Sequence, residues 1–333
     1  MNSSSNQTEE SAYSLDEWFT QYGVSFGMDI VYVYVITPIS LISFLLNSLT
    51  FSVLLDNKFN LSVVYSYFRL YIFNSTIISL FLITTFVSNS YRIFSFTNTY
   101  EATTYGIYVF EPILCVLYFY SNLLEIFMIF ERTEKYLPAK YKFLKKFEFN
   151  KVCLFNFLFS ILVNFPTFFN WETAADYVDL EDSTKFLLFY WGISAFSESI
   201  LGKVLTFGVF FVRDFLFLAI KLALNIFSVI SIRKYLAQIS SFNIKQESIS
   251  NKHYITKTDR ALTKMVIIGS IFTIFENIFF TIPNGYYLFV IDELSGYFTV
   301  ISFVLIALKH GSNFFLFYLF HHTFRNELKK KFK

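Results

Sequence analysis

A bundle of seven membrane-spanning helices, all α, is the fold class this sequence predicts, and three observations carry the prediction. The chain is 55% hydrophobic and only 16% charged over 333 residues, with a mean hydropathy of +0.49. That is too little polar surface for a soluble domain of this length. Seven stretches reach the roughly 20 apolar residues that a helix needs to cross a bilayer. Twenty of the 27 Lys and Arg residues fall in four clusters between those stretches, on alternate connections. Basic residues are retained on the cytoplasmic side, so the alternation predicts an N-terminus outside.

Residues 1–29 form the expected extracellular tail: the first 57 residues hold no Lys or Arg, while Glu9, Glu10, Asp16, Glu17 and Asp29 are acidic. The first twenty residues have neither a basic start nor an apolar core, so the first span is expected to act as the insertion signal. Asn2 and Asn6 stand in glycosylation sequons within this tail. The same tripeptide recurs at Asn60 and Asn74, where the topology forbids modification, so its value rests on agreement with the charge pattern.

The spans are read at 30–55, 62–87, 107–130, 152–170, 204–232, 262–290 and 297–320, within a transmembrane domain of residues 30–322. Lys58 follows the first span, and Arg132, Lys135, Lys140, Lys142, Lys145, Lys146 and Lys151 follow the third. Seven more basic residues from Arg233 to Lys264 follow the fifth, and Arg325, Lys329, Lys330, Lys331 and Lys333 end the chain in a short cytoplasmic amphipathic helix, residues 323–333. The connection after the fourth span is acidic instead, with Glu172, Asp176, Asp179, Glu181, Asp182 and Glu198 against Lys185 and Lys203. Within it, Phe186 to Phe196 is apolar but too short to span, and is read as a loop or interfacial segment outside the membrane. Cys115 and Cys153 fall on different spans and are not expected to pair. A net charge of +2 argues against a nucleic-acid partner.

Polar residues inside the spans are the functional candidates, because each costs a few kcal/mol at mid-bilayer unless it faces the bundle or a hydrated cavity. They are Asn47, Arg69, Asn74, Asn122, Glu125, Arg213, Asp214, Lys221, Asn225, Glu276, Asn277, Lys309, His310 and Asn313. Lys221 can equally snorkel toward an interface. Their spread over six spans predicts a hydrated interior, as in a receptor or a transporter.

The end of the last span carries a resemblance. Asn313, followed eleven and twelve residues later by Phe324 and Arg325, is similar to the seventh-helix motif of rhodopsin-like G-protein-coupled receptors. Phe314 stands in place of the motif's proline, and Phe317, with Tyr318 next to it, in place of its tyrosine. Glu131-Arg132-Thr133 resembles the family's acidic-Arg-Tyr triplet at the end of helix three, Asn47 its helix-one asparagine, Asn74 its helix-two aspartate with the charge removed, and Pro283 its helix-six kink. Ile107 replaces the disulfide cysteine of helix three, Thr281 replaces the tryptophan before the kink, and the loop from Trp171 to Lys203 has no cysteine. These departures, with the missing proline, resemble the nematode serpentine chemoreceptor families.

The resemblance implies a multi-pass plasma-membrane receptor, not an enzyme and without a cofactor, whose partners are the bilayer, an extracellular small-molecule or peptide ligand and a heterotrimeric G protein. It assigns coupling and activation to Glu131, Arg132, Asn313, Tyr318, Phe324 and Arg325, and an interior polar network to Asn47, Asn74, Glu125 and Glu276. It puts the ligand near Leu114, Cys115, Tyr118, Thr281 and Asn284. Leu114 stands where amine receptors have an aspartate, and Ala307 where retinal proteins have their lysine, with Lys309 expected to point elsewhere. Glu125 and Glu276 are expected to restrain the resting state through contacts with helix seven. A secondary transporter is the rival reading of the intramembrane charges; an orphan multi-pass protein and an odorant-gated channel with its N-terminus inside are others.

Overall fold

The computed structural model describes residues 26–59, 63–89, 99–134, 148–179, 185–242, 264–278 and 293–332. Five of its helices are long and apolar enough to cross a membrane: α1 (Met28–Leu54), α2 (Val63–Val87), α3 (Tyr100–Glu134), α4 (Phe149–Phe169) and a segment Tyr297–Phe320 that makes up most of α7 (Glu293–Phe320). The expected fifth and sixth spans differ for separate reasons. Helix α5 runs without a break through Ile200–Phe210, Phe211–Leu216 and Phe217–Phe242, but Lys203, Arg213, Asp214 and Lys221 interrupt its apolar run. Of α6, residues 264–278 are described, and Pro283 lies outside the described residues.

The chain is not wholly α-helical. Residues of the fourth connection, expected as a loop or interfacial segment, form an antiparallel hairpin of β1 (Trp171–Asp179) and β2 (Lys185–Ile193), in register from Trp171 opposite Ile193 to Asp179 opposite Lys185. The apolar piece of β2 is rich in the aromatic residues that suit a half-buried pleated surface, and its Leu188 is fully buried. The hairpin lies over the start of α3, where Thr103 Oγ1 donates to the Phe189 carbonyl at 3.3 Å and the Tyr100 and Phe189 rings meet edge to face. Helix α3 itself starts with Thr99, whose hydroxyl accepts the Ala102 N–H.

Among the described residues, three helices contain a turn of the wider π type: Tyr32–Ile36 in α1, Gly106–Phe110 in α3 and Phe211–Leu216 in α5. Such turns rotate the side chains that follow and concentrate at functional positions. At the other end of the bundle, α8 (His322–Lys331) turns away from α7 across the bundle end. His321 caps it: its Nδ1 accepts the Phe324 N–H at 3.2 Å, while Nε2 meets the Tyr65 hydroxyl at 2.6 Å.

Helix α3 is the axis of the bundle, with 78% of its most apolar window buried against 28% for α1 and α4. Its neighbours build two apolar layers. The layer at the hairpin end includes Ile78, Leu82, Phe110, Leu114 and Ile306. That at the α8 end includes Leu54, Phe68, Leu124, Met128, Phe317, Phe324 and Leu328. Helices α1 and α7 approach closely between them: Ser43 Oγ donates to the Ala307 carbonyl at 2.9 Å, and a Cβ on Gly311 would come within 2.5 Å of that hydroxyl. Both cysteines are free, as Cys115 lies in α3 and Cys153 in α4.

Candidate functional site

Between the two apolar layers lies a polar layer, and four ionisable side chains meet in it. Glu125 projects from α3, Lys221 from α5, Glu276 from α6 and Lys309 from α7, all at least nine-tenths buried. Lys221 Nζ donates to Glu125 Oε2 at 2.8 Å and to Asn122 Oδ1 at 2.7 Å. Asn122 and Glu125, three residues apart, share the face of α3 that looks at α5. The other Glu125 oxygen, Oε1, accepts from Tyr71 of α2 at 2.7 Å and from Thr273 of α6 at 2.8 Å, and has Lys309 Nζ at 3.5 Å. One carboxylate thus ties five helices together.

Glu276 is held differently. Lys309 Nζ lies 3.0 Å from its Oε2, but off the axis of a hydrogen bond, so among the described residues neither Glu276 oxygen nor Lys309 Nζ has a well-aligned hydrogen-bond partner. Lys309 also sits 5.5 Å over the Tyr118 ring, and Tyr118 donates its hydroxyl proton to Asn277 Oδ1 at 2.5 Å. Two lysines and two glutamates balance in charge, which is what lets the four stay ionised away from water. A cavity of about 30 Å³ opens beside Glu125, lined among others by Tyr71, Met265, Ser270 and Asn313.

Two smaller polar groups lie outside the knot. On α7, His310 Nδ1 meets Ser75 Oγ at 2.9 Å and Asn313 Nδ2 donates to the His310 carbonyl at 3.0 Å. On α5, the wide turn lets adjacent residues pair: Arg213 Nε and Nη2 donate to Asp214 Oδ1 and Oδ2 at 2.8 and 2.9 Å, and Nη1 to Asn164 Oδ1 of α4 at 3.3 Å. Among the described residues no group of three His, Cys, Asp or Glu side chains could hold a metal ion.

The sequence-expected residues fare unequally. Glu125 and Glu276 meet through Lys309, but they do not form one network with Asn47 and Asn74. Asn74 Nδ2 donates to the Leu117 carbonyl at 2.8 Å, and the fully buried Asn47 amide has no hydrogen-bond partner among the described residues. Lys221 does not snorkel, because its ammonium is fully buried on Glu125. Lys309 points into the bundle, where the opposite charges of α3 and α6 draw it. Tyr318 is 40% exposed on the outer face, while Phe317 turns inward against Phe68 and Phe324. Phe317 continues the inward face of Asn313, four residues earlier.

Arg132 is buried at the end of α3 and Glu131 half-buried. Phe324 is fully buried and Arg325 partly exposed on α8. Leu114 and Tyr118 are buried and Cys115 half-buried; Thr281, Asn284, Asn2 and Asn6 lie outside the described residues. The two lysines were candidates in the sequence, but their place in the network was not: Lys221 read equally as snorkelling and Lys309 as pointing elsewhere. Their signal was charge balance, two bases and two acids within apolar runs.

No protein-family model matches the sequence, and no curated protein matches it. Among solved structures it is similar to squid rhodopsin, with a TM-score of 0.68 over 93% of this chain and 86% of that one, at 14% sequence identity. The fold is rhodopsin-like. At that identity the likeness concerns the path of the helices and not the residues between them. The rhodopsin-like bundle therefore frames the four-charge knot without explaining it.

Proposed function

We propose that the chain is a plasma-membrane receptor of chemosensory type, with seven spans and residues 1–29 outside, that binds a small molecule or peptide from outside and activates a heterotrimeric G protein. The rhodopsin-like fold is the observation that supports this reading most. The four basic clusters support its direction, and Glu131, Arg132 and the spacing from Asn313 to Phe324 and Arg325 support its coupling end. Ligand binding near Leu114, Cys115, Tyr118, Thr281 and Asn284 favours a second bundle arrangement for which its affinity is higher.

The four-charge knot sets the resting arrangement. Thr273 on Glu125 and Lys309 on Glu276 bind α6 to α3 and α7. Of these contacts, the one between Glu276 and Lys309 has the poorer hydrogen-bond alignment among the described residues and is the first to yield. When α6 swings at its α8 end, pivoting at Pro283, it uncovers Arg132, whose planar guanidinium can bond the carbonyls of a docked partner. Asn2 and Asn6 carry glycans in this reading.

Cells expressing the chain with an epitope at residue 1 test it. Antibody should stain intact cells, and a library of odorants and peptides should yield a second-messenger response that Arg132→Ala abolishes. Staining only after permeabilisation would overturn the topology, and a ligand response intact in Arg132→Ala would overturn the coupling role. The buried lysines and glutamates favour a second reading, a secondary transporter in which they carry a coupled ion. Substrate uptake that is insensitive to Arg132→Ala would support that alternative.

A further inference from the structure

The polar layer does not use the basic cleft at the α8 end of the bundle. Lys58, in the turn Asn57–Phe59 after α1, faces the exposed side of α8, and the two enclose an open cavity of about 480 Å³ lined by His322, Asn326, Glu327, Lys329 and Lys330 among others. Glu327 is the sole acid of the lining, and its Oε1 is shared by Lys58 and by Lys330, the latter at 3.0 Å. Two ammonium groups on one carboxylate leave positive charge in excess. Lys329 adds to it, with no ion pair among the described residues. The nearest further acid, Asp56, accepts the Lys58 backbone N–H at 3.0 Å.

The cleft is built, because each wall is fastened. Phe324 and Leu328 anchor the apolar side of α8 in the bundle core, His321 caps its start, and Lys331 Nζ donates to both oxygens of Ser52 on α1 at 2.6 Å. The volume falls in the range of small-molecule sites, about 300–1,000 Å³, roomier than a lone phosphate requires. Its position at the end of two apolar spans brings it level with the bilayer surface, where lysines attract anionic headgroups. Leu55 and Phe332, chain neighbours of the cleft's lysines, are exposed apolar residues that acyl chains would cover.

We propose that this cleft binds the phosphorylated headgroup of an anionic membrane lipid of the phosphoinositide class, with Lys58, Lys329 and Lys330 on the phosphates and Asn326 and His322 on the ring hydroxyls. Glu327 gathers Lys58 and Lys330 on one oxygen when the site is empty and competes with the headgroup for them. Its loss therefore strengthens binding.

The purified chain in phosphatidylcholine nanodiscs carrying a phosphatidylinositol bisphosphate tests the proposal, with headgroup binding read by fluorescence of a labelled lipid. Each Lys→Gln change at Lys58 or Lys329 should weaken binding about fivefold, and Glu327→Gln should tighten it, a rise that mere loss of structure cannot give. Phosphatidylserine, with the same sign of charge but no phosphorylated ring, should bind far more weakly. The proposal is overturned if Lys58→Gln/Lys329→Gln binds as wild type, or if phosphatidylserine competes equally. Free inositol phosphate binding as tightly as the lipid would assign the site to a soluble anion and overturn the lipid assignment. Nanodiscs present the lipid on both leaflets, so the result depends neither on the direction of crossing nor on coupling to a G protein.

Discussion

Glu125 and Glu276 carry the same charge in the same layer, yet their surroundings predict different costs of removal. Glu125 accepts three hydrogen bonds, from Tyr71, Lys221 and Thr273, and Glu125→Leu strands the buried Lys221 ammonium and leaves Lys309 to Glu276 alone, a change of the kind that costs about 3–5 kcal/mol. Glu276 has no well-aligned hydrogen bond among the described residues, so Glu276→Leu should lower the thermal unfolding temperature in detergent by clearly less. Removing its partner as well, in Glu276→Leu/Lys309→Met, leaves Lys221 and Glu125 as a neutral pair. That double variant should be more stable than either single one, and an additive loss would refute the pairing. A second residue-scale prediction concerns His321, outside the spans. Burial, and next the neighbouring His322, lower its pKa from 6.5 to about 4. Because Nδ1 accepts the Phe324 N–H, the ring is neutral with its proton on Nε2 toward Tyr65. Protonation puts two N–H groups face to face and removes the cap. The stabilisation is complete above about pH 6.5 and is lost as the pH falls toward 4. Hydrogen exchange of α8 amides should accelerate over that window in wild type, and His321→Asn, which caps without titrating there, should flatten the response.

At the scale of elements, the approach of α1 to α7 depends on a missing side chain. A Cβ at position 311 meets Ser43 Oγ at 2.5 Å, but Ser43 Cβ only at 3.4 Å. Gly311→Ala should therefore destabilise by about 1–3 kcal/mol, and Ser43→Ala in the same chain should recover most of it; no recovery would show that the clash lies elsewhere. The same scale separates what the sequence discloses from what it hides. Spans such as α1 and α7 were legible because apolar length is a local property that the bilayer thickness converts directly into a helix. The hairpin was not, because WETAADYVD has no apolar run and becomes a strand only through its register with β2. The charges of the knot were legible one at a time. Their pairing was not, since it depends on how four helices rotate about their axes and on wide turns such as Phe211–Leu216, which shift every later side chain. Lys221 illustrates the point: alone in α5 it reads as a snorkelling residue, and only the approach of α3 makes it an internal ion. Tyr318 and Phe317 show the same limit on a finer scale, one residue deciding which ring faces the core.

The described helices pack as two apolar layers with the four-charge knot between them, and that order has a mechanical meaning. A buried charge balance permits only arrangements in which each charge keeps a partner. A bundle built this way has discrete states, and a ligand needs only a difference in affinity to choose between them. On the proposed receptor reading, Glu125 is the fixed centre and the Glu276–Lys309 contact the part that yields, so uncoupling the latter should populate the active arrangement without any ligand. Guanine-nucleotide exchange on a panel of heterotrimeric G proteins, with the chain purified in nanodiscs, tests this most directly. The account predicts that Glu276→Leu/Lys309→Met raises basal exchange several-fold over wild type on at least one G protein, and that adding Arg132→Ala returns it to background. Basal exchange equal to wild type across the panel in a double variant that folds, or a rise that survives Arg132→Ala, would contradict it.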